Sequence, residues 1–236
     1  MEGHLVGREF SYDYLVLVPL VAVLFNLFLA STKKWKELAL FNIAGGINLA
    51  MEFALISSGK RTFSHDGGLV WVSMLLSLGW VTNGFVCSLM YINLRQWLKG
   101  LYPVWFVAVA NVVYFAALPL AMMDWGLFEG AASTAREMNE AIVYIEPAAV
   151  AVLSAVIYFI GYRGLLWRML LIGALLDLGF EGSLFISGVR PAGSFDLVHV
   201  GGRVLFEMNT MFCLGFLVFK GLFGLRDYRD ESLRSG

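Results

Sequence analysis

The sequence predicts an all-α membrane protein built from seven spanning helices. The chain is 59% hydrophobic and only 15% charged, and its mean hydropathy is +0.73, a composition unlike that of a soluble globular domain. Apolar runs of about 20 residues, the length at which a helix crosses a bilayer, recur along all 236 residues. We therefore expect one transmembrane domain over residues 1–236 and no separate soluble domain.

The helices are placed in chain order from these apolar runs. The N-terminal stretch has neither the basic start nor the small-residue cleavage site of a secretory signal, so we expect the first helix to be retained. The remaining runs follow one another with short connections. The predicted spans are residues 12–31, 37–58, 69–93, 101–124, 141–161, 165–189 and 203–225.

The distribution of basic residues predicts the orientation, although the net charge is only −1 and gives no indication of nucleic-acid binding. Seven spans place six basic residues on one side, among them Arg8, Lys60 and Arg61. They place eleven on the other, among them Lys33 and Lys34. The positive-inside rule makes the second side cytoplasmic. We expect a multi-pass protein of the cell membrane, with its N-terminus outside and its C-terminus in the cytoplasm.

Two stretches of sequence indicate an internal repeat. "MEFALISSGKR" (51–61) and "FEGSLFISGVR" (180–190) share Glu, Leu, Ser, Gly and Arg in register. Upstream, Pro19 and Pro147 stand at matching positions, and downstream Asn83 and Cys87 mirror Asn209 and Cys213 after a three-residue gap. Helices 1–3 would then recur as helices 5–7, over about 12–93 and 141–225, with helix 4 as connector. This is a parallel 3+1+3 repeat, against the alternative that apolar helices match by chance.

Acidic residues inside the predicted helices are candidates for function. A charged group within a bilayer costs about 2.5–3.5 kcal/mol on insertion scales. Glu52, Glu181 and Glu207 all fall in the outer half of the predicted bundle, and Asp177 lies somewhat deeper. For any single acid, a structural role is as reasonable as a functional one, because buried acids and amides also join helices.

Polar and aromatic residues near these acids predict a pocket among helices 2, 3, 6 and 7. Asn48 precedes Glu52 by four residues and Asp177 precedes Glu181 by four, so each pair shares a helix face. Rings that face such a cavity can stabilise a cation. The predicted substrate-binding residues are Trp80, Asn83, Asn48, Phe180, Glu181, Asn209 and Asp177.

The sequence offers few means of holding a metal or cofactor, and we predict neither. Its three histidines, His4, His65 and His199, all lie outside the predicted helices. No H-E-x-x-H, G-x-S-x-G or P-loop motif is present. Cys87 and Cys213 lie within predicted helices and indicate no disulfide.

The segment "NLAMEF" (48–53) is similar to the N-x-x-W-E-F signature in the second helix of integral-membrane terpene cyclases. These enzymes occur in fungal meroterpenoid and indole-diterpene pathways, with bacterial relatives in drimentine-type pathways. The resemblance implies that Glu52 is the first functional acid and Glu207, early in the seventh helix, the second. Met51 stands where the family prefers tryptophan, and Glu207 where aspartate is expected.

The resemblance implies a specific reaction. A cyclase without a diphosphate-ionising motif must start by protonating an alkene or an epoxide, and burial helps a carboxyl to stay protonated. Glu52 would donate the proton. Glu207, with Asn83 or Asn209, would steady the donor or remove the final proton, while Trp80 would shield the carbocation. The partners would be a prenylated, membrane-soluble substrate and the lipid bilayer.

Three alternatives remain open at this point. A parallel three-helix repeat is also the plan of small transporters, in which membrane carboxylates carry protons. A seven-helix protein could instead bind a lipid or pigment without changing it. The repeat could also be a scaffold for another subunit, and the oligomeric state is left open.

Overall fold

The computed structural model describes residues 4–65, 67–138, 142–189, 209–217 and 220. The described residues form seven helices and three short strands. The helices pack around one hydrophobic core, which includes the fully buried rings of Phe25, Phe41, Phe85 and Tyr114. The chain is therefore mostly helical, as its composition predicts.

Six helices agree closely with the predicted spans. They are α1 (Tyr12–Ser31), α2 (Trp35–Ser57), α3 (residues 68–99), α4 (residues 104–122), α5 (Ile142–Phe159) and α6 (Arg163–Ile186). The largest difference is the end of α3, which continues to Lys99 rather than stopping at residue 93. Hydropathy marks where the apolar run ends, whereas a helix can extend beyond it through polar residues.

Five helices are long and apolar enough to cross a membrane: α1, α2, α3, α4 and α6, with mean hydropathies from 1.6 to 2.3. Helix α5 contains a shorter apolar stretch, Pro147–Phe159. The helix α7 is described over residues 209–217, so most of the predicted seventh span, 203–225, lies outside the described residues. Length and composition thus mark the chain as a membrane protein.

A three-stranded antiparallel sheet was not predicted. Strand β1 (His4–Ser11) pairs with β3 (Ala131–Met138), and β3 also pairs with β2 (Arg61–Phe63), giving the order β1-β3-β2. The register places Arg8 opposite Thr134 and Arg61 opposite Arg136. The sequence analysis missed these strands because they pair across long stretches of sequence.

The sheet gathers several connections at one end of the bundle. Strand β1 leads into α1, β2 follows α2, and β3 precedes α5. After α6, the carbonyl of Val189 accepts a hydrogen bond of 3.0 Å from the Glu9 amide. We call this end, which carries β1, β2 and β3, the sheet end. The opposite end, which carries the connections 32–34, 100–103 and 160–162, is the turn end.

The turns after α1 and after α5 have the same backbone structure. Each contains a residue with positive φ, Lys33 at 56° and Gly161 at 93°. Each closes with three amide-to-carbonyl bonds at matching positions. These are Thr32 to Phe28, Lys33 to Ala30 and Lys34 to Leu29, and Ile160 to Val156, Gly161 to Tyr158 and Tyr162 to Ile157.

The ends of α2 and α6 also match. Gly59 and Gly188 follow them with φ of 72° and 75°, the left-handed conformation in which glycine commonly terminates a helix. The amides of Ser58 and Ser187 bond back to Ala54 and Ser183 at 3.0 and 2.9 Å. The aligned "ISSG" and "FISG" segments therefore form the same helix end.

Glycines allow α2 and α3 to pack closely. A methyl group on Gly45 would overlap the Trp80 ring and lie 2.6 Å from the Trp80 carbonyl oxygen, and one on Gly84 would lie 2.7 Å from the Phe41 ring. Small residues at helix contacts let backbones approach, which is how helices associate within membranes. The contact at Gly45 fixes the position of α3 against α2.

We predict opposite effects for alanine at two neighbouring glycines of α2. Gly45→Ala should destabilise the protein by about 1–3 kcal/mol, since the added methyl overlaps Trp80. Gly46→Ala should be neutral or stabilising by up to about 1 kcal/mol, because alanine favours the helix and nothing lies within 4 Å of the new methyl. Thermal unfolding in detergent measures both. Equal effects of the two substitutions would contradict the close contact at Gly45.

Candidate functional site

Glu52, the acid of the "NLAMEF" segment, forms a buried ion pair with Arg61. Both side chains are buried, with Glu52 and Arg61 each only 5% exposed. The Arg61 Nη2 donates to Glu52 Oε1 at 2.8 Å, and Nε lies 2.7 Å from Oε2. This two-point contact is the strongest arrangement open to an arginine and a carboxylate.

The turn at the end of α2 brings these two residues together. Gly59 reverses the chain, and β2 begins at Arg61, so Arg61 lies against the last two turns of α2. Burial lowers the pKa of Arg61 to about 10, while the adjacent Glu52 carboxylate opposes that shift. Arg61 therefore stays positively charged at neutral pH. The sequence analysis placed Arg61 near the membrane interface and missed this pairing, because it depends on the turn.

Asn48 contacts the backbone of α3 rather than an open pocket. Its amide donates to the carbonyls of Leu78 and Gly79 at 3.1 and 2.9 Å. These carbonyls belong to Leu76–Val81, a π-helical turn in α3. Such turns interrupt the regular hydrogen-bond ladder, and polar backbone groups in a membrane need partners within the protein. Asn48 supplies one.

Trp80 lies away from Glu52. Its Nε1 donates to Asn42 Oδ1 at 3.1 Å, and its ring meets Phe41 edge-on at 5.4 Å and contacts Gly45. Gly45 precedes Glu52 by seven residues on α2, about 10 Å along the helix axis. Trp80 therefore packs α2 against α3 toward the turn end and does not share a site with the Glu52 carboxylate.

A second group of buried acids lies on α6. Asp177 and Glu181, one turn apart, are 2% and 8% exposed, and both carboxyls lie within electrostatic range of the Tyr114 hydroxyl. Tyr114 is fully buried in a π-helical turn of α4, Val113–Ala117, and donates to the Leu176 carbonyl at 3.0 Å. The two carboxyls and the phenol are thus buried where α4 packs against α6.

The other predicted site residues lie in different parts of the structure. Phe180 and Asn209 are buried, and Asn209 contacts Gly173 where α6 meets α7. Asn83 is half-buried on α3. Glu207, the second acid of the hypothesis, lies outside the described residues. Asp177, Phe180 and Glu181 therefore lie on α6, and Asn209 lies where α7 contacts α6. Trp80 and Glu52 lie apart.

Two further buried acids have structural partners that the sequence analysis did not identify. Asp13, at the start of α1, accepts the amides of Trp125, Leu127 and Phe128 at 2.7, 3.0 and 2.7 Å. At the turn end, Glu37 accepts a hydrogen bond from the Tyr102 hydroxyl. Neither pair can be found from spacing, since the partners are more than 60 residues apart in sequence.

An apolar cavity of about 410 Å³ lies between α1 and α3 near the sheet end. Asp13 holds the segment that carries Phe128, which closes one side of it. Its lining is almost wholly hydrocarbon and includes Tyr12, Leu15, Val16, Leu69, Val70, Val72, Ser73, Leu76 and Phe128. Ligand cavities in proteins typically measure about 300–1,000 Å³.

Comparison with known proteins gives no further guide to the function. No protein-family model matches the chain, and neither a curated protein nor a solved structure matches it.

We predict that the Glu52–Arg61 pair is strongly coupled. Glu52→Gln or Arg61→Gln alone should cost about 3–5 kcal/mol, since each leaves a charge buried without its partner. The double substitution should cost clearly less than the sum of the two. Denaturant unfolding of all four proteins in mixed micelles gives the coupling energy. Lys60→Gln, at an exposed neighbour of Arg61, is the control and should change stability by less than about 0.5 kcal/mol. Strictly additive single effects would contradict a functional ion pair between these two residues.

We also predict a structural role for Asn48. Asn48→Leu keeps the side-chain size but removes both donors to the π-helical turn, and should cost about 1–3 kcal/mol. Asn83→Leu, on α3 itself, is a matched control for the loss of a half-buried amide. The free energy of unfolding is measured in the same way. A larger loss of stability in Asn83→Leu than in Asn48→Leu would contradict a structural role for Asn48.

Proposed function

We propose that this protein is a membrane-embedded cyclase. It would begin cyclisation of a prenylated, lipophilic substrate by protonating an alkene or an epoxide with a buried carboxylic acid. The observation that carries the proposal is the pair Asp177 and Glu181, two carboxyls buried beside a phenol inside an apolar bundle. Proton-initiated cyclisation requires such a group, because only a protonated acid in a water-poor site delivers its proton to an alkene.

The geometry supports different roles for the acids of α2 and α6. Glu52 contacts the Arg61 guanidinium at two points, so in this proposal it stabilises a cation or removes the final proton. Asp177 and Glu181 are buried one helical turn apart, near the Tyr114 hydroxyl. In this proposal one of them donates the proton. Glu207 remains the second acid implied by the resemblance to membrane terpene cyclases.

The membrane setting fits a lipophilic substrate. Five helices have the length and hydropathy of membrane spans, and the apolar cavity between α1 and α3 is of a size that takes a prenyl chain. The turn end carries Lys33, Lys34 and Lys36, which by the positive-inside rule makes it cytoplasmic. In this proposal the sheet end, with β1, faces outward from the cell membrane.

A proton-coupled transporter is the second candidate, and the matched turns favour it. The similar backbone hydrogen bonds after α1 and α5, and again after α2 and α6, support a parallel repeat of helices 1–3 in helices 5–7. Parallel repeats are a common plan of small transporters. Proton-dependent uptake into vesicles, with no chemical change of the solute, would favour this candidate.

We predict that substitution of the α6 acids abolishes cyclisation. Purified protein in detergent is incubated with neutral farnesylated and geranylgeranylated acceptors, with and without a terminal epoxide. Mass spectrometry should detect a product of unchanged mass and shifted retention. Asp177→Asn or Glu181→Gln should lower turnover at least about 100-fold, the usual contribution of a general acid. Glu37→Gln, at a buried acid of the turn end, should keep most of the activity.

The pattern across variants decides the roles. Loss in Glu52→Gln alone, with full activity in both α6 variants, would return the donor role to Glu52. If the folded wild-type protein converts none of the acceptors, the result counts against the cyclase. Proton flux would then be measured instead. Size-exclusion profiles and unfolding curves establish that each variant is folded.

A further inference from the structure

The turn end carries a strongly positive surface. Within residues 28–37, 95–106, 157–168 and 220, the described chain has eight lysines and arginines and one acid, Glu37. The Glu37 carboxylate is buried and accepts a hydrogen bond from Tyr102, so it is not part of the exposed surface. The positive charge is densest where α1 connects to α2, because Lys33, Lys34 and Lys36 lie within a stretch of four residues there.

The backbone at each of these three positions favours a residue other than lysine. Lys33 has a φ of 56°, in the left-handed region that favours glycine, and the matched turn after α5 has Gly161 at this position. Lys34 is the N-cap of α2 but makes no side-chain capping hydrogen bond, whereas small polar residues are preferred as caps. Lys36 lies in the first turn of α2, where a positive charge opposes the helix dipole. The local backbone therefore explains none of the three lysines.

Aromatic side chains surround these lysines. The Lys34 ammonium lies over the rings of Tyr102 and Phe106, at 4.8 and 5.2 Å from their centroids. Trp35 directly follows Lys34, and the Trp105 ring meets Phe106 edge-on at 6.0 Å. The two tryptophans are 60% and 56% exposed. Exposed tryptophans at the ends of spanning helices lie at the boundary between hydrocarbon and head groups, so the lysines are at the depth of the lipid head groups.

We propose that Lys33, Lys34 and Lys36 bind the phosphate group of an anionic bilayer phospholipid. The charges are complementary, and lysines next to a spanning helix attract anionic lipid. In the matched turn after α5, glycine relieves the backbone at the position of Lys33. The lysine at that position after α1 is explained by the charge that it presents to the lipid.

The position of the lysines explains why the anion is a lipid rather than a soluble ion. They lie between the ends of α1 and α2, two helices with the length and hydropathy of membrane spans. A phospholipid whose phosphate meets the lysines has its acyl chains alongside these helices. A soluble phosphate ion would gain only the first of these contacts. The proposal depends neither on cyclisation nor on the acids of α6.

The test is lipid binding by the full-length protein in detergent, measured by native mass spectrometry. The probes are phosphatidylglycerol and phosphatidylcholine with the same acyl chains, so that the two lipids differ in head group alone. Phosphatidylglycerol should bind at least about tenfold more tightly, since each lysine near a head group contributes about fivefold in affinity.

Lys33→Gly separates lipid binding from folding. It should weaken the binding of phosphatidylglycerol about fivefold. The midpoint of its thermal unfolding in phosphatidylcholine nanodiscs should stay the same or rise, because glycine suits the left-handed backbone. Lys36→Gln, at an exposed lysine of α2, should weaken binding to a similar extent. Lys60→Gln is the matched control, because it removes an exposed lysine at the sheet end, and it should leave the affinity unchanged.

Several results would overturn the proposal. Equal affinity for the two lipids would show that the lysines do not bind the head group. An equal loss of affinity in Lys60→Gln and Lys33→Gly would reduce the effect to the charge of the whole protein. If Lys33→Gly unfolds at a lower temperature or does not fold, an unchanged affinity in Lys36→Gln would show that the lysines serve the fold alone. Complete displacement of phosphatidylglycerol by an equal concentration of inorganic phosphate would assign the lysines to a soluble anion.

Discussion

The buried pair of Glu52 and Arg61 is the interaction on which the sheet end depends. A lone carboxylate inside an apolar bundle is costly, and Arg61 offsets that cost with two contacts below 3 Å. To reach Glu52, the chain must reverse at Gly59 and enter β2 at once. Strand β2 then pairs with β3, and β3 with β1. The pair thus joins the end of α2 to all three strands.

A second constraint is that backbone polar groups within a membrane need partners in the protein. Two helices, α3 and α4, contain π-helical turns. Each of these turns is hydrogen-bonded to a neighbouring helix. Asn48 donates to the α3 turn, and Tyr114, within the α4 turn, donates to α6. Asp13 likewise accepts hydrogen bonds from the amides of Trp125, Leu127 and Phe128. Several buried polar residues are thereby explained by the backbone they satisfy.

The buried acids differ in their surroundings rather than in their depth. Glu52 is paired with a cation, Asp13 with amides and Glu37 with a phenol. Asp177 and Glu181 instead lie beside each other and within range of Tyr114. A carboxylate in contact with a permanent cation is a poorer proton donor, because the cation favours the ionised form. This difference is why the proposed chemistry is placed on α6.

The sequence by itself determined the membrane class, the positions of six helices to within a few residues at most ends, and the burial of Glu52, Asp177 and Glu181. These follow from hydropathy and from the alternation of apolar runs and turns, which are local properties. Only the tertiary structure decided the partners: Arg61 for Glu52, Asn42 for Trp80, and the backbone of α3 for Asn48. It also decided the sheet, whose strands β1 and β3 are far apart in sequence. Such partners depend on turns and on helix contacts. At Gly59 a single backbone angle determines which side chains meet, and at Gly45 the absence of a methyl group does. Hydropathy carries no information about either.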